Sequence, residues 1–178
     1  MTAIERQHEL LLQMQVVFRP AEQDDLPKLE WYGLYTHFRR VFQRTYEDQV
    51  AGRRLMLLAD VNGWPVGQLF IQLEMFDEPL PGDRKRAYMY SVRIMDAFQR
   101  QGIGTALLQE AESILIERDY DSVSIAAAKE NEAARRLYER LGFHVLTEDA
   151  GRWHYVDHEG RTRQVVEPCW ILEKQLQP

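Results

Sequence analysis

The sequence predicts one mixed α/β domain, and three observations predict it. Short apolar runs of strand length alternate with stretches whose apolar residues recur at helical spacing. Asn62-Gly63, between two strand-like runs, is a residue pair that two-residue hairpin turns favour. "NEAARRLYERLGF" opens on Asn131 and closes near Gly142, the residue types preferred at the two ends of a helix. The chain has 178 residues, enough for one substantial core. No repeat, low-complexity tract or linker divides it, so 1–178 is read as a single domain.

The elements follow in order. "QVVFRPA" predicts a short strand ended by Pro20, and "EQDDLPKLEWYGLYTHFRRVFQRTYEDQVAG" one or two helices with Gly33 as the break. "RRLMLLADVNGWPVGQLFIQLEM" predicts a hairpin, "FDEPLPGDRKR" an exposed loop and "AYMYSVRIM" a strand. From Ile103, the apolar positions Ala106, Leu107, Ala111, Ile114 and Leu115 form one helical stripe. "DSVSIAAA" is the next strand, followed by the helix that Asn131 opens. The tail predicts a hairpin around "DHEG" and a last long strand.

Composition excludes several classes. The charge is −6, from 22 Lys and Arg against 28 Asp and Glu. Nucleic-acid surfaces are basic, so no nucleic-acid partner is expected; the acidic balance leans toward cationic or amine partners through steering. No apolar run approaches the roughly 20 residues that span a bilayer. "MTAIERQHELLLQMQ" carries Glu5, Arg6 and Glu9, unlike a secretory signal. No membrane partner and a cytoplasmic address are the expectations. Cys169 is the only cysteine, which excludes an internal disulfide and a cysteine-based zinc site; it reads as a buried, inert thiol. His154 and His158 are four apart, but in strand-and-turn text with no third ligand, so no metal is expected.

The chemistry-bearing stretch is "QRQGIGTA", residues 99–106. Glycines let a backbone approach a ligand closely, and a helix N-terminus offers unpaired N–H groups to an anion. A P-loop needs Gly-Lys-Ser/Thr, whereas Thr105 and Ala106 follow Gly104. A dinucleotide turn needs a third glycine where Leu107 stands. "VRIMDAFQRQGIGTALL" instead resembles the acetyl-CoA pyrophosphate motif Q/R-x-x-G-x-G/A of the GNAT superfamily of N-acetyltransferases, with Gln99, Gly102 and Gly104 in place. Asp96 replaces the usual proline. Downstream, "NEAARRLYERLGF" fits that superfamily's N-x-x-A-x-x-x-Y-x-x-x-G-F through Asn131, Ala134, Tyr138, Gly142 and Phe143. The resemblance is detailed over 92–143 and loose elsewhere.

On a helix, Asn131 and Tyr138 lie within roughly 20° of one another and about 10 Å apart along the axis. Taken alone, Asn131 is a helix cap and Tyr138 a core aromatic; alongside the glycine motif both become site candidates.

The resemblance implies a GNAT-like, mostly antiparallel twisted sheet with helices on both faces. One parallel strand pair, "YSVRIM" and "SVSIAAA", would splay apart. It further implies that acetyl-CoA lies in that gap. Main-chain groups near Ile94 would hold the pantetheine arm. N–H groups of Arg100, Gln101, Gly102, Ile103, Gly104 and Thr105 would hold the pyrophosphate, and Asn131 would contact the cofactor. Tyr138 would be the general acid toward the leaving sulfur, in transfer to a primary amine of a small molecule or peptide by direct attack. The general base stays open: the strand lacks a carboxylate, leaving Glu74, or water aligned by Ser91 or Tyr90. Trp31, Tyr32, Tyr35 and Phe38 divide between acceptor lining and core. A non-catalytic acyl-CoA sensor is the alternative function. Pairing of two copies through "QVVEPCWILEKQL" would make a homodimer.

Overall fold

The computed structural model describes residues 13–73 and 85–176. Nine strands and three α-helices are described: β1 (Val17–Pro20), α1 (Arg39–Val50), β2 (Arg54–Val61), β3 (Trp64–Gln72), β4 (Arg86–Ile94), α2 (Ile103–Glu117), β5 (Ser122–Ala128), α3 (Glu132–Arg140), β6 (His144–Asp149), β7 (Arg152–Val156), β8 (Thr162–Val166) and β9 (Cys169–Gln175). Seven strands form one sheet in the order β1-β2-β3-β4-β5-β9-β6. Only β4 and β5 are parallel neighbours among the described strands, and β7 and β8 form a separate hairpin. This is the predicted mixed architecture.

Each face of the sheet is covered for a reason visible in residue spacing. Leu107, Leu108, Ala111 and Leu115 lie on one stripe of α2 and are buried with Leu57, Leu69, Ile71 and Met89. On the opposite face Phe42 of α1 is buried with Met56, Leu58 and Phe70. The period-2 alternation of β2 and β3 therefore splits between two cores, which is why both strands are buried along almost their whole length. The β2–β3 turn has Asn62 at φ 54 and Gly63 at φ 80, the left-handed pair that a tight hairpin requires. The Arg19 guanidinium ties β1 down, reaching Asp25 and Asp60 at 2.6 Å each.

Two expectations need correction. The segment before α1 holds short 3-10 turns at Gln23–Asp25, Lys28–Glu30 and Thr36–Phe38, with α1 as its one α-helix. Trp31, Tyr32 and Gly33 are consecutively left-handed (φ 42, 58 and 97), so the break begins ahead of the glycine. β6 was absent from the sequence reading; every residue in it is exposed, so it carries no burial alternation to detect. Within the sheet, β9 lies between β5 and β6. The predicted "FDEPLPGDRKR" loop and Glu74 lie outside the described residues, apart from Lys85 and Arg86.

Candidate active site

The parallel pair comes apart where the site should be. β4 and β5 pair only from Arg86↔Ser122 to Met89↔Ile125. Beyond that point β4 stays bonded to β3 as far as Ile94, and β5 to β9 as far as Ala128. Tyr90–Ile94 and Ala126–Ala128 thus face each other without strand pairing. The cause is a bulge: the β3–β4 register shifts between Gln68 and Phe70, and Ser91 sits at φ 57. Gln68 is fully buried beside it, donating from Nε2 to Ser91 O at 3.3 Å and to Ser91 Oγ at 3.1 Å. Its Oε1 is buried without a partner.

The chain then enters the glycine loop. Gln99 Nε2 donates to Ile94 O at 3.0 Å and to Asp96 Oδ1 at 2.9 Å, and Gln101 Nε2 to Ala97 O at 3.1 Å. These side chains brace the loop against the end of β4. Arg100 (φ 59) and Gly102 (φ 85) turn it left-handed into α2. The first helical bond runs from Ala106 N to Gly102 O at 3.0 Å. The N–H groups of Ile103, Gly104 and Thr105 therefore have no helical acceptor and form the positive end of the helix dipole. A Cβ on Gly102 would meet nothing within 4 Å, so this glycine is required by backbone conformation alone. One on Gly104 would touch Ile94 Cγ1 at 3.6 Å, which places Gly104 against the end of β4.

Asn131 and Tyr138 lie on α3, which packs on β5. Asn131 Oδ1 accepts from Ala134 N at 3.0 Å, so its carbonyl oxygen serves as the helix cap and its Nδ2 is the group left to meet a ligand. Tyr138 is 5% exposed, in the core cluster that contains α2. Burial, with Tyr88 nearby, pushes its hydroxyl up to about 12. The phenol is therefore protonated at neutral pH, a donor rather than a base.

A cavity of about 420 Å³ opens along the end of β4, lined by Trp31, Leu34, Tyr35, Arg93, Met95 and Asp96 among others. Trp31 is fixed by Nε1 donating to Pro65 O at 3.0 Å. Tyr32, 84% exposed, instead stacks on Trp64. Phe38 packs against Tyr155 and Trp153 of the β7–β8 hairpin, with ring centres 4.8 and 6.4 Å apart. The Arg93 guanidinium lies over Tyr35 and Phe38, at 4.6 and 4.8 Å from their ring centres. Sequence reasoning missed Arg93, Trp153 and Tyr155; the one signal was a cation inside an otherwise apolar strand end, "SVRIM".

Of the open candidates for aligning a water, Tyr90 has a hydroxyl that accepts from Arg54 Nη1 at 2.6 Å. Ser91 is at the bulge. His37, which sequence reasoning passed over, lies 6.1 Å from the ring of Tyr155 and is held below its ordinary value by burial, then by Arg93 and His158. Cys169 is buried, and burial raises its thiol. The described residues contain no cluster of three metal-ligating side chains.

Comparisons with known proteins agree with this geometry. The model of the acetyltransferase (GNAT) family matches residues 15–143. N-alpha-acetyltransferase 30 of Xenopus laevis is 30% identical over 136 residues, covering 76% of this chain and 44% of the relative, so the chain spans less than half of that protein. Two solved structures share the fold. Arabidopsis thaliana NAA60 in complex with acetyl-CoA has a TM-score of 0.70 at 18% identity, over 91% of this chain and 99% of that one. The ribosomal-protein-S18-alanine N-acetyltransferase of Escherichia coli has a TM-score of 0.68 at 22% identity, over 92% and 96%. A bulged β4 splayed from β5, a glycine loop capping α2, and a family match spanning both motifs lead to one conclusion: this chain belongs to the GNAT family of acetyltransferases.

Proposed function

We propose that the chain is an N-acetyltransferase that transfers the acetyl group of acetyl-CoA to a primary amine of a small molecule or peptide. The observation that carries this is the unpaired stretch between β4 and β5 leading to the free amides of the 100–105 loop. A strand-like amide arm would satisfy backbone groups that are costly to leave unpaired. The loop N–H groups from Arg100 to Thr105, with the dipole of α2, would hold a pyrophosphate. The Ile94 carbonyl already accepts from Gln99 and keeps a second lone pair for the arm. That the similar proteins are N-alpha-acetyltransferases supports an amine acceptor.

The thioester supplies an activated acyl group. This chain's residues would orient it and manage protons. Tyr138, protonated and buried, donates to the departing sulfur. The acceptor enters from the opposite side of β4, through the cavity beside Trp31 and Tyr35. No described helix is long and apolar enough to cross a membrane, and we propose that the protein works in the cytoplasm. The test is thiol release from acetyl-CoA with a panel of primary amines. Amine-dependent release supports the reading; tight acetyl-CoA binding with no turnover of any amine replaces it with an acyl-CoA sensor.

A further inference from the structure

We infer that Arg93 is the anion-recognition residue of the acceptor cavity, and that the amine acetylated there carries a carboxylate close to its nitrogen. This rests on the transferase reading above and specifies its substrate class. The half-buried arginines of the described chain are Arg19, Arg53, Arg54, Arg86, Arg93 and Arg135. All but Arg93 hold a carboxylate in an ion pair: Asp25, Asp48, Asp48 again, Glu173 and Glu139 respectively.

Arg93 makes no ion pair or hydrogen bond among the described residues; its neighbours are the faces of Tyr35 and Phe38. Ring faces offset part of the desolvation of a cation but accept no N–H hydrogen bond from its five donors, which the described protein groups leave unpaired. Burial accordingly disfavours its charge, and Glu167, whose field favours it, stands outside ion-pair range. Arg93 and Tyr35 both line the cavity. Asp96, the one carboxylate among the lining residues, is exposed and engaged by Gln99. A planar guanidinium with a free fork is suited to bind a carboxylate through two parallel hydrogen bonds. The overall charge of −6 favours cationic acceptors at long range, but the cavity itself presents a cation.

The experiment measures kcat/KM by thiol release for matched acceptors. One arm compares leucine with leucinamide, testing a free amino-acid carboxylate. The other compares a C-terminally amidated tetrapeptide beginning Asp-Ala with one beginning Asn-Ala, testing a side-chain carboxylate. In at least one arm the carboxylate member is expected to be preferred by about tenfold or more, as for a charged partner whose loss leaves a buried donor unpaired. R93M should bring the members of that pair within about threefold, with acetyl-CoA affinity retained, and R93K should keep part of the preference. The wild-type comparison stands even if a variant fails to fold. Turnover with no carboxylate preference in either arm, or equal loss on both members in R93M, overturns the inference and leaves the transferase reading intact. Acetyl-CoA binding with no turnover of any amine overturns both.

Discussion

Gly102 and Gly104 belong to the same motif, yet the structure assigns them opposite energetic roles. Gly102 stands at φ 85 with open space where a Cβ would go. Gly102→Ala therefore meets no clash, and its whole cost is that of an L-residue in the left-handed region, about 1–2 kcal/mol. Gly104 lies in the first turn of α2 outside that region, and its added Cβ would make an ordinary 3.6 Å contact with Ile94. Gly104→Ala should stabilise the free protein by about 0.5 kcal/mol, because alanine loses less backbone entropy on folding.

At about 3 °C per kcal/mol for a domain of this size, the Tm of Gly102→Ala should fall by about 3–6 °C and that of Gly104→Ala rise by about 1–2 °C. Acetyl-CoA titration completes the accounting. If the loop in Gly102→Ala relaxes its strain, Tm is spared and binding must re-impose the strain, which weakens Kd by up to about 30-fold. Loss in stability and loss in binding should thus sum to about 1–2 kcal/mol. Scanning calorimetry and isothermal titration on the two variants read both quantities. Gly102→Ala with unchanged Tm and unchanged Kd would refute the argument, as would equal destabilisation by both substitutions.

Other consequences are equally direct. Tyr138→Phe removes the proton donor from a side chain that makes no hydrogen bond among the described residues, so kcat should drop by about 100-fold or more with acetyl-CoA Kd and Tm nearly unchanged; an unaltered kcat removes Tyr138 from the mechanism. Arg19→Ala leaves the buried carboxylates of Asp25 and Asp60 without their shared cation, with Lys28 still on Asp25 and the Gly63 N–H on Asp60, which should cost about 1–3 kcal/mol and show in a urea titration as a lower midpoint at constant slope. His37 is held below its ordinary value of 6.5, mainly by burial. The unfolded chain therefore binds this proton more readily than the folded one, and the stability His37 contributes is present above pH 6.5 and lost as pH falls below it. His37→Gln should flatten that part of the stability profile, and an NMR titration midpoint for His37 at or above 6.5 would contradict the assignment.

The site was legible in the sequence wherever local backbone rules decide it. Gly102 announced the loop, Asn131 the cap of α3, and Asn62-Gly63 the hairpin, because each answers to φ or to capping within a few residues. What stayed hidden depends on distant partners. Trp31 and Tyr32 are left-handed because the loop packs Trp31 Nε1 onto Pro65 O and stacks Tyr32 on Trp64, residues of β3. β6 has no buried face, so it shows no periodicity. Arg93 reads as one more strand cation until Tyr35 and Phe38 are seen to enclose it with no ion pair among the described residues. Ile94 looked free in the sequence, whereas the first residue of the glycine motif, Gln99, turns back onto its carbonyl.

The central claim is that the opening between β4 and β5 receives the acyl-CoA arm. Amide hydrogen exchange with and without acetyl-CoA tests it at the groups concerned. Slowed exchange concentrated at 90–94, 100–105 and 126–128, with the paired stretch 86–89 unchanged, is the predicted result. Protection confined to other segments, or no change at those amides under saturating acetyl-CoA, would contradict it.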